Sequence, residues 1–261
     1  MKKTFQSRDD LINYVASIAP WAKGNASSIF GGSKAAMARL LQVDPVAYSR
    51  SRNDGDGAVS QLSPYIHHGI LTLSQVRDHA LRQVAAPEQA MRFIQELAWR
   101  DYWQRQAILH PEWLWQDVES YKTGFDAQDY AQSLPQDIRT GETDVACINA
   151  LIHQLLNQGY VHNHGRMYIA SYVVHFRRVR WQAGARWFLE HLLDGDEASN
   201  NFSWQWVAST FSHQPYIFNL ANVSRYFGSQ LDTDPVHNQI LDASYEELAR
   251  KLFPNLGESH G

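Results

Sequence analysis

Apolar residues recur at i, i+3 and i+4 along most of this chain and nowhere alternate for long enough to build a sheet, so the fold class is mainly α. Helical period runs through residues 72–86, 87–109, 144–158, 163–179 and 183–193. Upstream, Ser7 is placed to cap a helix carrying Leu11, Ile12, Val15 and Ile18 that ends before Pro20. The run SKAAMARLLQV predicts a second helix with Met37, Leu40 and Leu41 turned inward. Residues 44–61 (DPVAYSRSRNDGDGAVSQ) are polar and rich in glycine and read as a functional loop; further loops are expected near 110–142 and 210–237. With 261 residues, no internal repeat and no low-complexity linker, the chain reads as a single domain over residues 1–261 that can bury a core unaided.

Composition narrows the possible functions. Cys147 is the only cysteine, which excludes an intrachain disulfide, a four-cysteine iron–sulfur cluster and a cysteine-rich zinc site, and points to a cytoplasmic location. No apolar run approaches the roughly 20 residues that span a bilayer, and the start MKKTFQSRDD leads into charge, so neither membrane nor export is indicated. A formal charge of -4 argues against a protein that coats nucleic acid generally. The charge is uneven, however. Between Tyr160 and Leu193, Arg166, Arg177, Arg178, Arg180 and Arg186 face only Glu190, and this stretch is expected to border a binding cavity, whereas the tail from Ser229 is acidic. Seventeen arginines against six lysines, with 12% aromatic residues, fit either a large aromatic core or a site that stacks rings and grips phosphate or carboxylate.

Three constellations could carry chemistry. On the helix PEQAMRFIQELAWRDYWQRQ, Glu96, Trp99, Arg100 and Trp103 share one face; an ordinary i,i+4 Glu–Arg pair beside packing aromatics accounts for them, and so does a cavity for a heteroaromatic ring. In VHNHGRMYIASYVVHF, Asn163, Arg166, Met167 and Ala170 lie on one face, flanked by His162 and His164; no third ligand follows at a sensible spacing, so no metal site is expected. In LLDGDEASNNFSWQWVAST, Asp194 and Asp196 precede a helix with Asn200 and Trp204 four residues apart. Asp196 can be a plain N-cap, and Ser199 and Gln205 occupy positions where a calcium loop needs Gly and Glu. Two carboxylates and an amide around the edge of a polar ring, with indoles behind, suit the pattern better.

In order, VSQLSPYIHHGILT, QELAWRDYW, GYVHNHGRMYIASY and WQAGARWFLEHLLDGDEASNNFSWQWVAST resemble the helical FAD-binding domain of DNA photolyases and cryptochromes, over about residues 30–210, with residues 211–261 divergent. The resemblance implies FAD as cofactor. Ser60, Leu62 and Ser63 then match the flavin-phosphate segment, Tyr48 and either Arg50 or Arg52 the rim, Arg166 and Asp194 an ion pair beside the ring, Asp196 a second ring-side carboxylate, and Asn200 the residue facing flavin N5. Glu96, Trp99, Arg100, Asn163, Met167 and Trp206 match the lesion cavity of cyclobutane-dimer photolyases, with Asn163 also within the flavin pocket. Trp204 and Trp181 match the inner members of the family's tryptophan electron-transfer chain; the third falls near Gln128, leaving Tyr130, Tyr121 or another indole to end it.

That family splits pyrimidine dimers by electron donation from light-excited FADH⁻ to a flipped-out lesion. The expected function is therefore a light-dependent lyase that splits cyclobutane pyrimidine dimers in UV-damaged DNA, with a preference for single strands. The alternative is a cryptochrome-like blue-light receptor without repair. Asn200 is the photolyase residue, where plant cryptochromes resemble this motif with Asp. The chain also departs from the family: Val59 stands for the usual Thr, His164 for a phosphate-binding Arg, TDVACIN for T-G-x-P, and FSHQPYIFNLANVSRYF for the closing helix. About 30 residues precede the resemblance, so no antenna chromophore site is expected within this chain.

Overall fold

Side-chain caps start many of the helices that carry the fold. In a computed structural model, which describes residues 1–22 and 24–256, Ser7 accepts the Asp10 N–H and starts α1 (Arg8–Ile18). Thr72 and Gln75 form a capping box that opens α5 (Leu73–Arg82). Between them lie α2 (Ser33–Leu40), α3 (Pro45–Ser51) and α4 (Ser63–His67). The long α6 (Met91–Leu109) follows a single 3₁₀ turn, then come α7 (Gln136–Thr140), α8 (Ala146–Gln158) and α9 (Asn163–Ser171). The chain finishes with α10 (Trp181–His191), α11 (Glu197–Ala208), α12 (Leu220–Phe227) and α13 (Tyr245–Leu252). Among the described residues no strand forms, and the only sheet-like contact is an isolated bridge between Ala131 and Val179.

The main core gathers α8, α9, α10, α11 and α12, with Trp181, Trp187, Phe188, Trp204 and Phe218 buried. A smaller core joins α2, α4 and α5 to Phe93 of α6. Because α6 packs on α11 as well as on α3 and α5, it bridges the two cores. Between α10 and α11 the approach is close enough that a Cβ on Gly184 would overlap the Trp204 ring.

Several expectations need correction. Residues 45–51 are helical: the Asp44 carboxylate accepts the N–H groups of Val46 and Ala47, and Pro45 sits in the first turn where its missing N–H does no harm. The irregular segment is therefore shorter than the composition suggested. In α2, Ala36 and Leu40 turn inward, while Met37 and Leu41 are 48% and 68% exposed. α1 buries no residue at all. The helix expected through 179 leaves the α register after Ser171: residues 172–176 form a π turn capped by Arg177, and the next residue, Arg178, stands at φ 46°. Short helices also occupy the expected loops, α7 in the first and α12 in the second.

Gly184→Ala should destabilise the protein by about 1–3 kcal/mol through this overlap, and also perturb Trp204. Thermal unfolding followed by tryptophan fluorescence measures both; an unchanged midpoint and spectrum would show that the α10–α11 contact is looser than described.

Candidate functional site

A cavity of about 490 Å³ opens between α6, α9, α11 and the segment before α4, within the usual range of roughly 300–1,000 Å³ for small-molecule sites. Its polar floor comes from the turn between α10 and α11. Arg166 on α9 donates through Nη2 to Asp194 Oδ2 at 2.9 Å and through Nε to the Val161 carbonyl at 2.8 Å. The Asp194 side chain is 2% exposed. Burial alone would raise its carboxyl, but the charge and hydrogen bond of Arg166, helped by the nearby Ser63 hydroxyl, hold it below the ordinary carboxylate range. Asp194 Oδ1 is buried with no partner in the protein. An acceptor left free on a cavity wall is a place for a ligand N–H.

Asn200 lies one turn into α11. Its amide nitrogen donates to the Ala185 carbonyl at 3.1 Å and to Asn201 Oδ1 at 2.9 Å. A backbone carbonyl can only accept, so this side of the amide must be the nitrogen and Oδ1 stays available as an acceptor. Trp204, a further turn on, lines the cavity and packs edge-on against Phe188.

Ser60, Leu62 and Ser63 also line the cavity, around Gln61, which is held at φ 51°. A left-handed residue followed by the right-handed Leu62 turns successive N–H groups to one side, a concavity that favours anions. Arg39 steadies the segment, donating to the carbonyls of Ser60 at 2.9 Å and Val59 at 3.4 Å. Tyr48 lines this rim edge-on to Phe93, and burial, reinforced by Glu96, pushes its phenol up to about 12.

The mouth is aromatic. Trp99 and Trp206 are 52% and 41% exposed, and both line the cavity together with Asn163 and Met167. Trp99 stacks on Trp103, which stacks on Phe202, so its ring plane is backed from below.

The i,i+4 pair available to Glu96 and Arg100 is not made. Glu96 pairs with Arg52, and Arg100 reaches across to Asp196 at 3.2 Å. Arg52 is thus the rim arginine, while Arg50 faces solvent. Asp196 does not line the cavity: Oδ1 caps Ser199 N–H, and Oδ2 accepts from Gln104 at 2.6 Å as well as from Arg100. Its position behind the wall follows from its duty as N-cap. Trp181 also lies outside the cavity, buried beside Trp115, with ring centroids 6.3 Å apart and planes 10° apart. Tyr121 and Tyr130 stack on one another. The basic stretch does not border the cavity as expected. Of its five arginines only Arg166 does; Arg177 pairs with Asp137, Arg178 bonds the Leu252 carbonyl, and Arg186 lies over Trp115.

His162 and His164 have structural duties. His162 Nδ1 accepts the His164 N–H at 3.1 Å, leaving its proton on a buried Nε2 with no partner, and burial lowers it to about 4. His164 Nδ1 bonds the Asn53 carbonyl at 3.0 Å and ties α9 to the segment before α4.

Geometry alone defines an α-helical ligand-binding domain in which free acceptors and an anion-favouring turn line one cavity. The family model described as the FAD binding domain of DNA photolyase matches residues 93–235. The chain belongs to this family, and FAD is its cofactor. A deoxyribodipyrimidine photo-lyase of Streptomyces griseus is 33% identical over 59% of this chain and 32% of its own length. One from Synechococcus is 31% identical over 75% of this chain and 43% of its own. The chain thus spans about a third to two-fifths of these relatives. In fold it is similar to an archaeal photolyase of Sulfolobus tokodaii (TM-score 0.71, 21% identity, 98% of this chain and 62% of that one). It is also similar to a Synechocystis cryptochrome (TM-score 0.69, 22% identity, 89% and 53%).

Acid should remove stability over two pH ranges. His162 and His175 are both neutral and held at about 4, so the unfolded chain takes up protons below about 6.5 that the folded chain refuses. Their contribution is complete above that value and falls away toward pH 4. Asp194, held low, contributes above its unfolded value and is lost only as the pH drops through its lowered one. Urea titrations should show a loss on the order of a few kcal/mol between pH 7.5 and 4.5. Asp194→Asn should lose roughly 3–5 kcal/mol at pH 7, because it strands Arg166. Equal stability across pH, or in the variant, would contradict these assignments.

Proposed function

We propose that this domain binds FAD in the cavity and uses it for light-dependent splitting of cyclobutane pyrimidine dimers, preferring single-stranded DNA. One observation carries the reading: a single cavity combines a floor of free acceptors, Asn200 Oδ1 and Asp194 Oδ1, with a mouth of two exposed indoles, Trp99 and Trp206. In this reading the acceptors hold the N–H edge of the flavin ring, with Asn200 at N5, and the turn at Gln61 takes the phosphates. Light-excited reduced flavin supplies one electron to the lesion and recovers it after the dimer splits. The indoles flank the flipped bases, Met167 closes the apolar side, and Asn163 with the unpaired oxygen of Glu96 meets base edges.

The preference for single strands rests on charge. The cavity arginines Arg52, Arg100 and Arg166 each face a carboxylate, and His164 is turned to a backbone carbonyl, so few free cations remain to grip a duplex. Stacking, about 1–3 kcal/mol per base, would dominate affinity. Flipping is easiest where no partner strand must be left. With its thiol buried and unpaired, the domain works in the reducing cytoplasm in this proposal.

Flavin-loaded protein, illuminated with UV-treated oligo(dT), should remove dimers in a light-dependent manner and faster on the single strand than on the same strand annealed to oligo(dA). Loss of dimers on neither substrate would overturn repair; flavin photoreduction without dimer loss would instead support the receptor reading. Asn200→Ala should shift the flavin midpoint potential down, because the reduced ring loses its acceptor at N5; an unchanged potential would remove Asn200 from that role.

A further inference from the structure

Trp181 is fully buried, and its indole N–H donates to the Asp117 carboxylate at 2.6 Å. The same oxygen accepts from Gln182 Nε2 at 3.1 Å, and Gln182 in turn reaches the Trp115 carbonyl, so the carboxylate is held against the ring. Trp115, stacked on Trp181 and partly exposed, gives its own N–H to Glu197, with the Arg186 guanidinium 4.6 Å from its ring centroid. Trp204, at the cavity, is different: its Nε1 has no partner.

The three indoles therefore differ in how well they bear a positive charge. A buried indole N–H is satisfied by any carbonyl, whereas a carboxylate adds a fixed negative charge and a proton acceptor in a poorly screened place. Of the two buried indoles, Trp181 is the better placed to be oxidised and to lose its proton, since Trp204 has no acceptor at Nε1. At Trp115 the cation of Arg186 opposes Glu197, which favours leaving the charge one ring inward.

We propose that Asp117 is the proton acceptor of Trp181 and so fixes where the oxidised site rests when the domain photoreduces its flavin; this depends on the flavin reading above. Trp204 gives one electron to the photo-excited oxidised flavin, and Trp181 refills Trp204. The Trp181 radical cation then passes its Nε1 proton to Asp117 Oδ1, leaving a neutral tryptophanyl radical and a protonated carboxyl. A small thiol in solution returns one electron by way of Trp115, and Asp117 gives the proton back, so that the thiol alone is oxidised and the flavin keeps the electron. Asp117 is a positioning residue, acting through Trp181.

Flash photolysis of FAD-loaded protein, with transient absorption, distinguishes the protonation state of the radical. The wild type should give the neutral radical, formed more slowly in D2O. Asp117→Asn keeps an acceptor oxygen but no charge, and should give the radical cation with faster return of the electron from the flavin and no isotope effect; Asp117→Glu should restore the neutral radical. In apo-protein the Trp181 indole ¹⁵N–H resonance should shift with pH in the wild type and not in Asp117→Asn. A neutral radical with the wild-type isotope effect in Asp117→Asn would overturn this inference alone. A wild type that binds FAD and forms no tryptophanyl radical would overturn the electron path, and one that binds no FAD would overturn the functional reading itself.

Discussion

The ion pair between Arg166 and Asp194 sets the geometry on which the cavity depends. It joins α9 to the turn between α10 and α11, with the Asp194 side chain almost wholly buried. A lone charge there would be costly, so the two elements are held in one register. Asp196 caps α11 two residues later, and the helix carries Asn200 and Trp204 inward at successive turns of about 5.4 Å. Acceptor, amide and indole thus follow from the one anchored turn. Gly184 completes the arrangement from α10 by leaving room for the Trp204 ring.

Charge in this domain is organised by pairing. Each arginine at the cavity meets an acid from another element: Arg52 with Glu96, Arg100 with Asp196, Arg166 with Asp194. Such pairs fix position more than they raise affinity for anions. The ligand then meets free acceptors, the backbone N–H groups of the Gln61 turn and aromatic faces at the mouth. That combination suits a planar ring carrying phosphates, and beyond it bases that stack.

Helices α5, α6, α8 and α10 were legible from period alone, and α1 from Ser7, because each is long or clearly capped. α3 was not, although Asp44–Pro45 is itself a start signal; the glycines that follow it masked a seven-residue helix. Met37 and Leu41 were misplaced because a helix of eight residues leaves the choice of face to tertiary packing, which buries Ala36 and Leu40 instead. Motif order brought most of the predicted site into one cavity. It could not show that Asp196 faces away, since a cap and a ligand contact use the same carboxylate. Arg39 and Trp115 act through contacts distant in sequence and leave no local pattern. The arginine cluster misled for the same reason: linear charge density does not reveal which partners Arg177, Arg178 and Arg186 find.

The claim on which the rest stands is that the helical core builds a specific flavin site from these acceptors. Titration of apo-protein with FAD, followed by quenching of tryptophan and flavin fluorescence, tests it most directly. The account predicts one saturable site per chain, with riboflavin binding much more weakly because it lacks the phosphates met at Gln61. No saturable binding, or equal affinity for FAD and riboflavin, would contradict it.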